Sequence, residues 1–291
     1  MSFLKQSGFL LVLWFSAFQV SAELNCQTPA ADASRVAVAG GSITEIIYFL
    51  GEEHRLIAVD RTSNFPAAAT QLPQIGYVRG LATEGLLSLK PTLVMGEDDM
   101  GPPEVLSQLS QTGIDWVRVP EEFSVEGISA KVNCVAGILD VAPEKLASAS
   151  KSLNDVALRL TDVERRTDSP TALIILLYQE GAAIAAGADT SGDGILAMAG
   201  FNNALADVSG WKPISAESMI KANPDYLIVT HRAVRTAGGL DKITQSPGVR
   251  LTRAGRLGRV IEMDGMSLLG FGPRTLEAAA QLAEVNASSA D

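Results

Sequence analysis

The sequence predicts an α/β protein of two Rossmann-like lobes, each with a central parallel sheet, joined by one long helix. Three observations carry that expectation. Short apolar runs closed by a polar residue alternate with segments of helical periodicity in both halves of the chain. Between them, the stretch from Ala142 to Arg166 has no glycine, no proline after Pro143, and apolar residues at three-to-four spacing, as one long helix requires. A glutamate-to-proline module then occurs once on each side of that helix.

Residues 1–22 read as a cleavable secretory signal peptide: Lys5, an apolar run from about Gly8 to Phe18, then Val20-Ser21-Ala22. The run is shorter than the roughly 18 residues a spanning helix needs. Cys26 follows Glu-Leu-Asn, not the small residues of a lipid-attachment site. Export to an oxidising compartment follows, where Cys26 and Cys134 have the opportunity to pair. Two separate, buried thiols satisfy the sequence equally well, so the pairing stays open at this point. The remaining chain, about 270 residues, suffices for two lobes of ordinary size. At 47% hydrophobic and 5% aromatic residues it describes a packed, soluble, aliphatic globule. A formal charge of −10, more negative still once Lys5 is removed, argues against nucleic acid as a partner.

In chain order, Arg35 to Ala39 is a short apolar strand, and Gly40-Gly41-Ser42 turns into a helix whose end suits Gly51. LIAVD (56–60), TLVMG (92–96) and DWVRV (115–119) are further buried strands, with a helix from about Pro103 to Thr112 before the last. After the long helix, TALIILLYQE and AAIAAG are adjacent strands, SGDGILAMAG a helix, DYLIVT (225–230) a strand, and RTLEAAAQLAEV a closing helix. The expected organisation is a signal peptide over 1–22, an N-terminal lobe over 23–141, an interlobe helix over 142–168 and a C-terminal lobe over 169–291. The repeat pairs Glu84…Pro91 with Glu217…Pro224 at identical spacing, each an acid in a first helical turn followed by a strand. Duplicated lobes leave a cleft between them, where ligands bind by default.

Signatures of catalysis are scarce, and the chain is read as a binding protein, not an enzyme. His54 and His231 are the only histidines and neither belongs to a metal or catalytic pattern; His54 reads as a solvated turn residue. No GxSxG elbow, GxGxxG fingerprint or Walker lysine is present.

Residues 76–103, GYVRGLATEGLLSLKPTLVMGEDDMGPP, are more informative. They resemble the haem-binding periplasmic proteins of bacterial haem-uptake ABC transporters, a branch of the class III periplasmic binding proteins that also includes carriers of cobalamin and siderophores. The likeness extends through RVAVAGGSITEIIYFLG, AVDRTSNFP, AGFNNALADVSGWKPISAE and RLGRVIEMDGMSLLGFGPRTLEA, so it spans nearly all the mature chain. It implies that Tyr77 is the axial ligand to haem iron. Ferric iron is a hard cation and phenolate a hard anionic oxygen, one of the few protein ligands found on haem. Free tyrosine titrates near 10, so ligation at neutral pH needs iron or a neighbouring cation to favour the phenolate. Arg79, two residues on, is implied in that supporting role, and an extended segment would turn both side chains the same way.

The resemblance also implies an arginine from the second lobe, for which Arg232 aligns best within the group His231, Arg232 and Arg235. A histidine that some relatives carry near SGDGILAMAG is missing here, which leaves His231 as the available substitute for a second axial ligand. Glu84 and Glu217 are implied to dock on arginines of a dimeric inner-membrane ABC permease. The cargo is then haem, carried rather than used as a cofactor, by a periplasmic monomer supplied indirectly by an outer-membrane haem receptor. A ferric siderophore or cobalamin is the alternative cargo. A haem-handling periplasmic enzyme lacks its nucleophile and base, and zinc or manganese carriage lacks the usual histidine and carboxylate set.

Overall fold

The computed structural model describes residues 25–161, 163, 168–179 and 181–288; the expected signal peptide lies outside them. In the first lobe β1 (Val36–Ala39), α1 (Gly41–Phe49) and β2 (Leu56–Val59) lead to a small hairpin of β3 (Gly76–Tyr77) and β4 (Gly80–Leu81). Then come α2 (Thr83–Ser88), β5 (Leu93–Glu97), α3 (Pro103–Ser110), β6 (Asp115–Val119) and α4 (Val125–Ile138). Its sheet runs β2-β1-β5-β6, with every pair parallel. Helix α5 (Pro143–Ala157) leads to the second lobe: β7 (Thr171–Gln179), β8 (Ala182–Ala186), α6 (Ser191–Met198), β9 (Asn202–Asn203), β10 (Trp211–Ile214), α7 (Ala216–Ala222) and β11 (Tyr226–Thr230). The chain closes with α8 (His231–Ala237), α9 (Leu240–Thr244), α10 (Pro247–Arg250), α11 (Arg253–Arg256), β12 (Val260–Met263), α12 (Gly265–Leu269) and α13 (Pro273–Ala287).

The second sheet corrects the expectation of two parallel sheets. Its order is β10-β8-β7-β11-β12, with β9 also beside β7, and the β7-β8 and β8-β10 pairs are antiparallel. Gly181, at φ 81, lies in the reversal from β7 to β8, where a left-handed backbone lets the chain fold back as a hairpin. The parallel core β7-β11-β12 is retained beside it.

Alternation along the central strands explains both the apolar runs and the layering. Val36 and Val38 of β1, Leu93 and Met95 of β5, Ala172 and Ile174 of β7, and Tyr226 and Ile228 of β11 all enter one continuous core. Their neighbours Ala37, Ala39 and Val94 pack into a second core on the outer side of the first lobe. Leu173, Ile175, Leu227 and Val229 do the same in the second lobe. A strand covered on both faces has no polar side to present, so its sequence reads as uninterrupted apolar residues. The two inner faces share a single core, to which α4, α5, α6 and α13 contribute Ile128, Leu153, Ile195 and Leu276. Two lobes that share a core are joined by packing as well as by chain, which limits rotation between them.

The helix expected from Ala142 to Arg166 is shorter. α5 ends at Ala157 and tightens into a 3-10 turn over Leu158–Leu160, where Thr161 Oγ1 donates to Leu158 O at 2.7 Å. Residues 162 and 164–167 of that prediction lie outside the described residues. Helix α4 was not anticipated at all. Its Gly137 sits where an added Cβ would lie 2.9 Å from Cys26 O, because the N-terminal segment passes directly over it. There Cys26 and Cys134 form a disulfide, Cα atoms 4.5 Å apart, resolving the pairing the sequence left open.

The repeat has a structural counterpart. Lys90 (φ 51) and Asn223 (φ 43) take left-handed backbone at the same spacing behind Glu84 and Glu217, each directly before a proline and the next central strand. A residue before proline is disfavoured in the right-handed helical region, so both short helices have stopped by that residue, α2 at Ser88 and α7 at Ala222.

Candidate ligand-binding cleft

A cleft of about 450 Å³ lies between the lobes, at the carboxyl ends of parallel strands from both. Arg61 follows β2, Glu97 ends β5, Glu121 lies just past β6, Thr230 ends β11 and Asp264 follows β12; all line it. Side chains beyond the carboxyl ends of parallel strands project free of the sheet, which makes this edge the usual ligand site of such folds.

Tyr77 stands on the first-lobe wall with its side chain open to the cleft. The hairpin bearing it is pinned on both sides: Arg61 N donates to Gly76 O at 2.8 Å, Gly101 N to Val78 O at 3.0 Å, and Leu81 N to Gly101 O at 3.0 Å. Val78 is buried beneath it. Val78 and Arg79 are the two turn residues between β3 and β4, so Tyr77 and Arg79 meet by chain reversal and not, as the sequence implied, along an extended segment. The Arg79 guanidinium donates from Nη2 to the Tyr77 hydroxyl oxygen and lies 5.0 Å from the ring centroid. Its Nη1 pairs with Asp99. A phenol oxygen held against a guanidinium is an oxygen donor with a positive charge already at its side, and Asp99 fixes the direction of that charge.

On the opposite wall, Thr230 caps α8, accepting from Ala233 N at 3.0 Å while its hydroxyl donates to Leu176 O at 2.8 Å. His231, Arg232 and Arg235 therefore stand on the first two turns of a helix, exposed and facing the cleft. His231 has Glu262 Oε1 at 3.9 Å and Asp264 Oδ2 at 4.0 Å. Tyr77, Arg79, His231 and Arg232 are thus brought together on one cleft. Glu84 and Glu217 are not: both are exposed in the first turns of α2 and α7, and neither lines it. Among the described residues, no three histidine, cysteine or carboxylate side chains converge to hold a metal ion.

Glu97 and Glu121 on the cleft, and Lys131 buried behind them, are ionisable groups that sequence reasoning missed. Lys131 of α4, 2% exposed, donates to Ser42 Oγ and to Gly270 O, each at 3.3 Å, and pairs with Glu121. Glu97 accepts from Ser42 Oγ at 2.8 Å, and an added Cβ at Gly40 (φ 153) would lie 2.6 Å from its Cγ. Burial pushes the Glu97 carboxyl up to about 7; the Lys131 charge opposes this, and the Glu121 charge adds to it. Glu97, Glu121 and Asp264 each stand at or just beyond the end of an apolar strand. That shared position was the available signal.

A two-lobed α/β protein with its polar residues gathered in an interlobe cleft is, as a class, a protein that encloses a ligand. The chain belongs to the periplasmic binding protein family, whose pattern residues 36–266 match. Its fold is similar to that of the periplasmic heme-binding protein RhuT from Roseiflexus sp. RS-1, with TM-score 0.81 and 35% identity over 89% of this chain and 100% of that one. The periplasmic heme-binding protein HutB of Vibrio cholerae is similar with TM-score 0.76 and 32% identity, covering 87% of this chain and 99% of that one. In sequence, the ABC transporter substrate-binding lipoprotein YvrC of Bacillus subtilis is 25% identical over 252 residues, 84% of this chain and 76% of that one.

The Glu97 environment gives stability a specific pH dependence. The native carboxyl keeps a proton that the unfolded chain releases from about 4.5 upward, so its contribution falls as pH rises from there to about 7. Glu97→Gln keeps an acceptor for Ser42 and removes the titration. The variant should match wild type near pH 4 and exceed it at pH 8 by about 3 kcal/mol in denaturant unfolding; parallel profiles for the two proteins would contradict this.

Proposed function

We propose that this protein captures haem in the interlobe cleft and delivers it to an inner-membrane ABC importer. The observation that carries the reading is the cleft-facing Tyr77 with Arg79 on its hydroxyl, in the Gly-Tyr-Val-Arg turn. Tyr77 supplies the axial oxygen to ferric iron, Arg79 balances its charge, and Arg232 approaches the porphyrin from the second lobe. His231, which lines the opposite wall, is the imidazole available should the iron take a second axial ligand. No bond in the cargo is made or broken; capture is coordination and burial, so the protein acts as a carrier and not as an enzyme. The similarity to the heme-binding RhuT and HutB supports the cargo, and that to YvrC supports the ABC partner.

Export by the 1–22 signal peptide places the carrier in the periplasm as a monomer, downstream of an outer-membrane receptor. The lobes extend over 23–141 and 169–291, with 142–168 between them. Glu84 and Glu217, at matching positions of the two lobes, dock on the two subunits of the permease. Because each lobe offers one acid, a permease dimer can pull on both lobes, and only its preference for the open form can drive release.

Hemin titration followed at the Soret band tests the cargo and the ligand together. Tyr77→Phe, which removes only the oxygen, should change the ferric spectrum and weaken binding by roughly a hundredfold; an unaltered spectrum and affinity would refute the assignment. For docking, Glu84→Lys with Glu217→Lys should leave the titration unchanged while abolishing haem uptake into vesicles bearing the permease. Uptake at the wild-type rate would remove the docking role.

A further inference from the structure

One stretch of the chain runs against its overall charge. Between Asp241 and Glu262 no acidic residue occurs, while Arg250, Arg253, Arg256 and Arg259 recur at every third position, in a chain whose formal total is −10. Arg250, Arg253 and Arg256 are exposed, and so are Leu251 and Leu257, at 49% and 54%. A single exposed leucine is ordinary; two set among arginines make an apolar and cationic surface. The fold neutralises little of it. Arg253 pairs with Asp225 at 2.7 Å, but Arg256 Nη1 donates to the Leu251 carbonyl, and Arg259 lies 5.0 Å from the Tyr226 ring centroid. A carbonyl or a ring leaves the charge of a guanidinium in place.

Small buried residues hold this surface in place. Val249 and Ala254 are fully buried, and the Thr252 hydroxyl between them donates to Val249 O at 2.6 Å while accepting from Gly255 N at 3.1 Å. An added Cβ at Gly248 would lie 3.0 Å from Ala216 Cα, and one at Gly255 2.1 Å from Val249 O, so α10 is pressed onto α7 and α11 onto α10. Arg253 N donates to Asn223 Oδ1 at 2.8 Å and Ala254 N to Pro224 O at 2.9 Å. Two short helical turns thus bury their small residues and leave arginines and leucines outside on a fixed frame. Asn223, Pro224 and Asp225 precede β11, whose other end, Thr230, lines the cleft. The arginine surface therefore lies at the edge of the second sheet opposite the cleft.

We propose that the outer surface of α10 and α11, with Arg250, Arg253 and Arg256 beside Leu251 and Leu257, is a peripheral docking surface for an anionic phospholipid bilayer. A guanidinium meets a lipid phosphate through paired hydrogen bonds, and leucines between the arginines can enter the boundary below the headgroups. An acidic protein surface answers the arginines alone; the bilayer answers both, with anions above and hydrocarbon beneath. The rest of this acidic chain is repelled by the same lipids, so contact is oriented through the arginine surface and stays reversible. With the bilayer at the edge opposite the cleft, the cleft remains open to its cargo. The inference goes beyond the haem reading and does not depend on it, since none of these residues lines the cleft.

Co-sedimentation of the mature protein, residues 23–291, with lipid vesicles tests this. At low salt it should bind vesicles of equal parts phosphatidylcholine and phosphatidylglycerol at least roughly tenfold more tightly than vesicles of phosphatidylcholine alone, and the difference should vanish as salt rises. Arg250→Gln with Arg256→Gln should weaken binding to the anionic vesicles by roughly twentyfold, whereas Arg250→Lys with Arg256→Lys should retain most of it. Leu251→Ser with Leu257→Ser should weaken it several-fold with both arginines in place. All these side chains are exposed, so each variant should keep the wild-type unfolding midpoint. Equal binding to the two kinds of vesicle, or binding to neither, would overturn the proposal. Self-association at low salt that the glutamine pair abolishes, without any vesicle binding, would also overturn it and give the surface to a second copy of this chain.

Discussion

The ammonium of Lys131 reaches Ser42 and Glu121 on the first-lobe side and the Gly270 carbonyl on the second, and the cleft walls take their relative positions from it. A lysine this deeply buried is tolerated only when its charge and donors are all answered, so the three partners and the ammonium fix one another. A second tie crosses nearby. Arg274 of α13 forks onto Glu45 of α1, reaches Asp264 at 3.2 Å and lies 3.9 Å from the Phe65 ring centroid. Around these polar links the inner faces of both sheets share one apolar core. The lobes consequently behave as one body with a preformed cleft, suited to a rigid planar ligand that needs little wrapping.

Much of this was legible in the sequence because burial on both faces erases polar alternation. DWVRV coincides with β6 over Asp115–Val119, and DYLIVT differs from β11 by a single residue. The glutamate-to-proline repeat was legible for a different reason: a helix that has stopped by the residue before a proline is encoded in both lobes by spacing. Helix α4 was not legible, since Gly127, Ser129, Asn133 and Gly137 are weak helix formers and its apolar residues are explained only by neighbours distant in sequence. The β7-β8 hairpin was visible as two strands, but their direction depends on the backbone at Gly181.

Within the site, motif residues were found and background residues were not. Tyr77, Arg79, His231 and Arg232 stood out by type or context, and the fold gathers all four. Arg61 and Glu97 lie within the resembling segments, but nothing in those segments marks a role for them; their place on the cleft appears only when the loops after β2 and β5 are brought to one edge. Lys131 is further still from a sequence signal, because a lysine in a helix is ordinarily solvated and its burial is a property of the lobe junction.

Coordination of ferric haem iron by the Tyr77 phenolate is the claim on which cargo and mechanism both depend. Resonance Raman spectroscopy of the ferric haem complex, excited in the phenolate-to-iron charge-transfer band, tests it most directly. The predicted spectrum shows enhanced tyrosinate ring modes in wild type that are absent in Tyr77→Phe. A wild-type complex without those modes, or modes that persist in the variant, would contradict it.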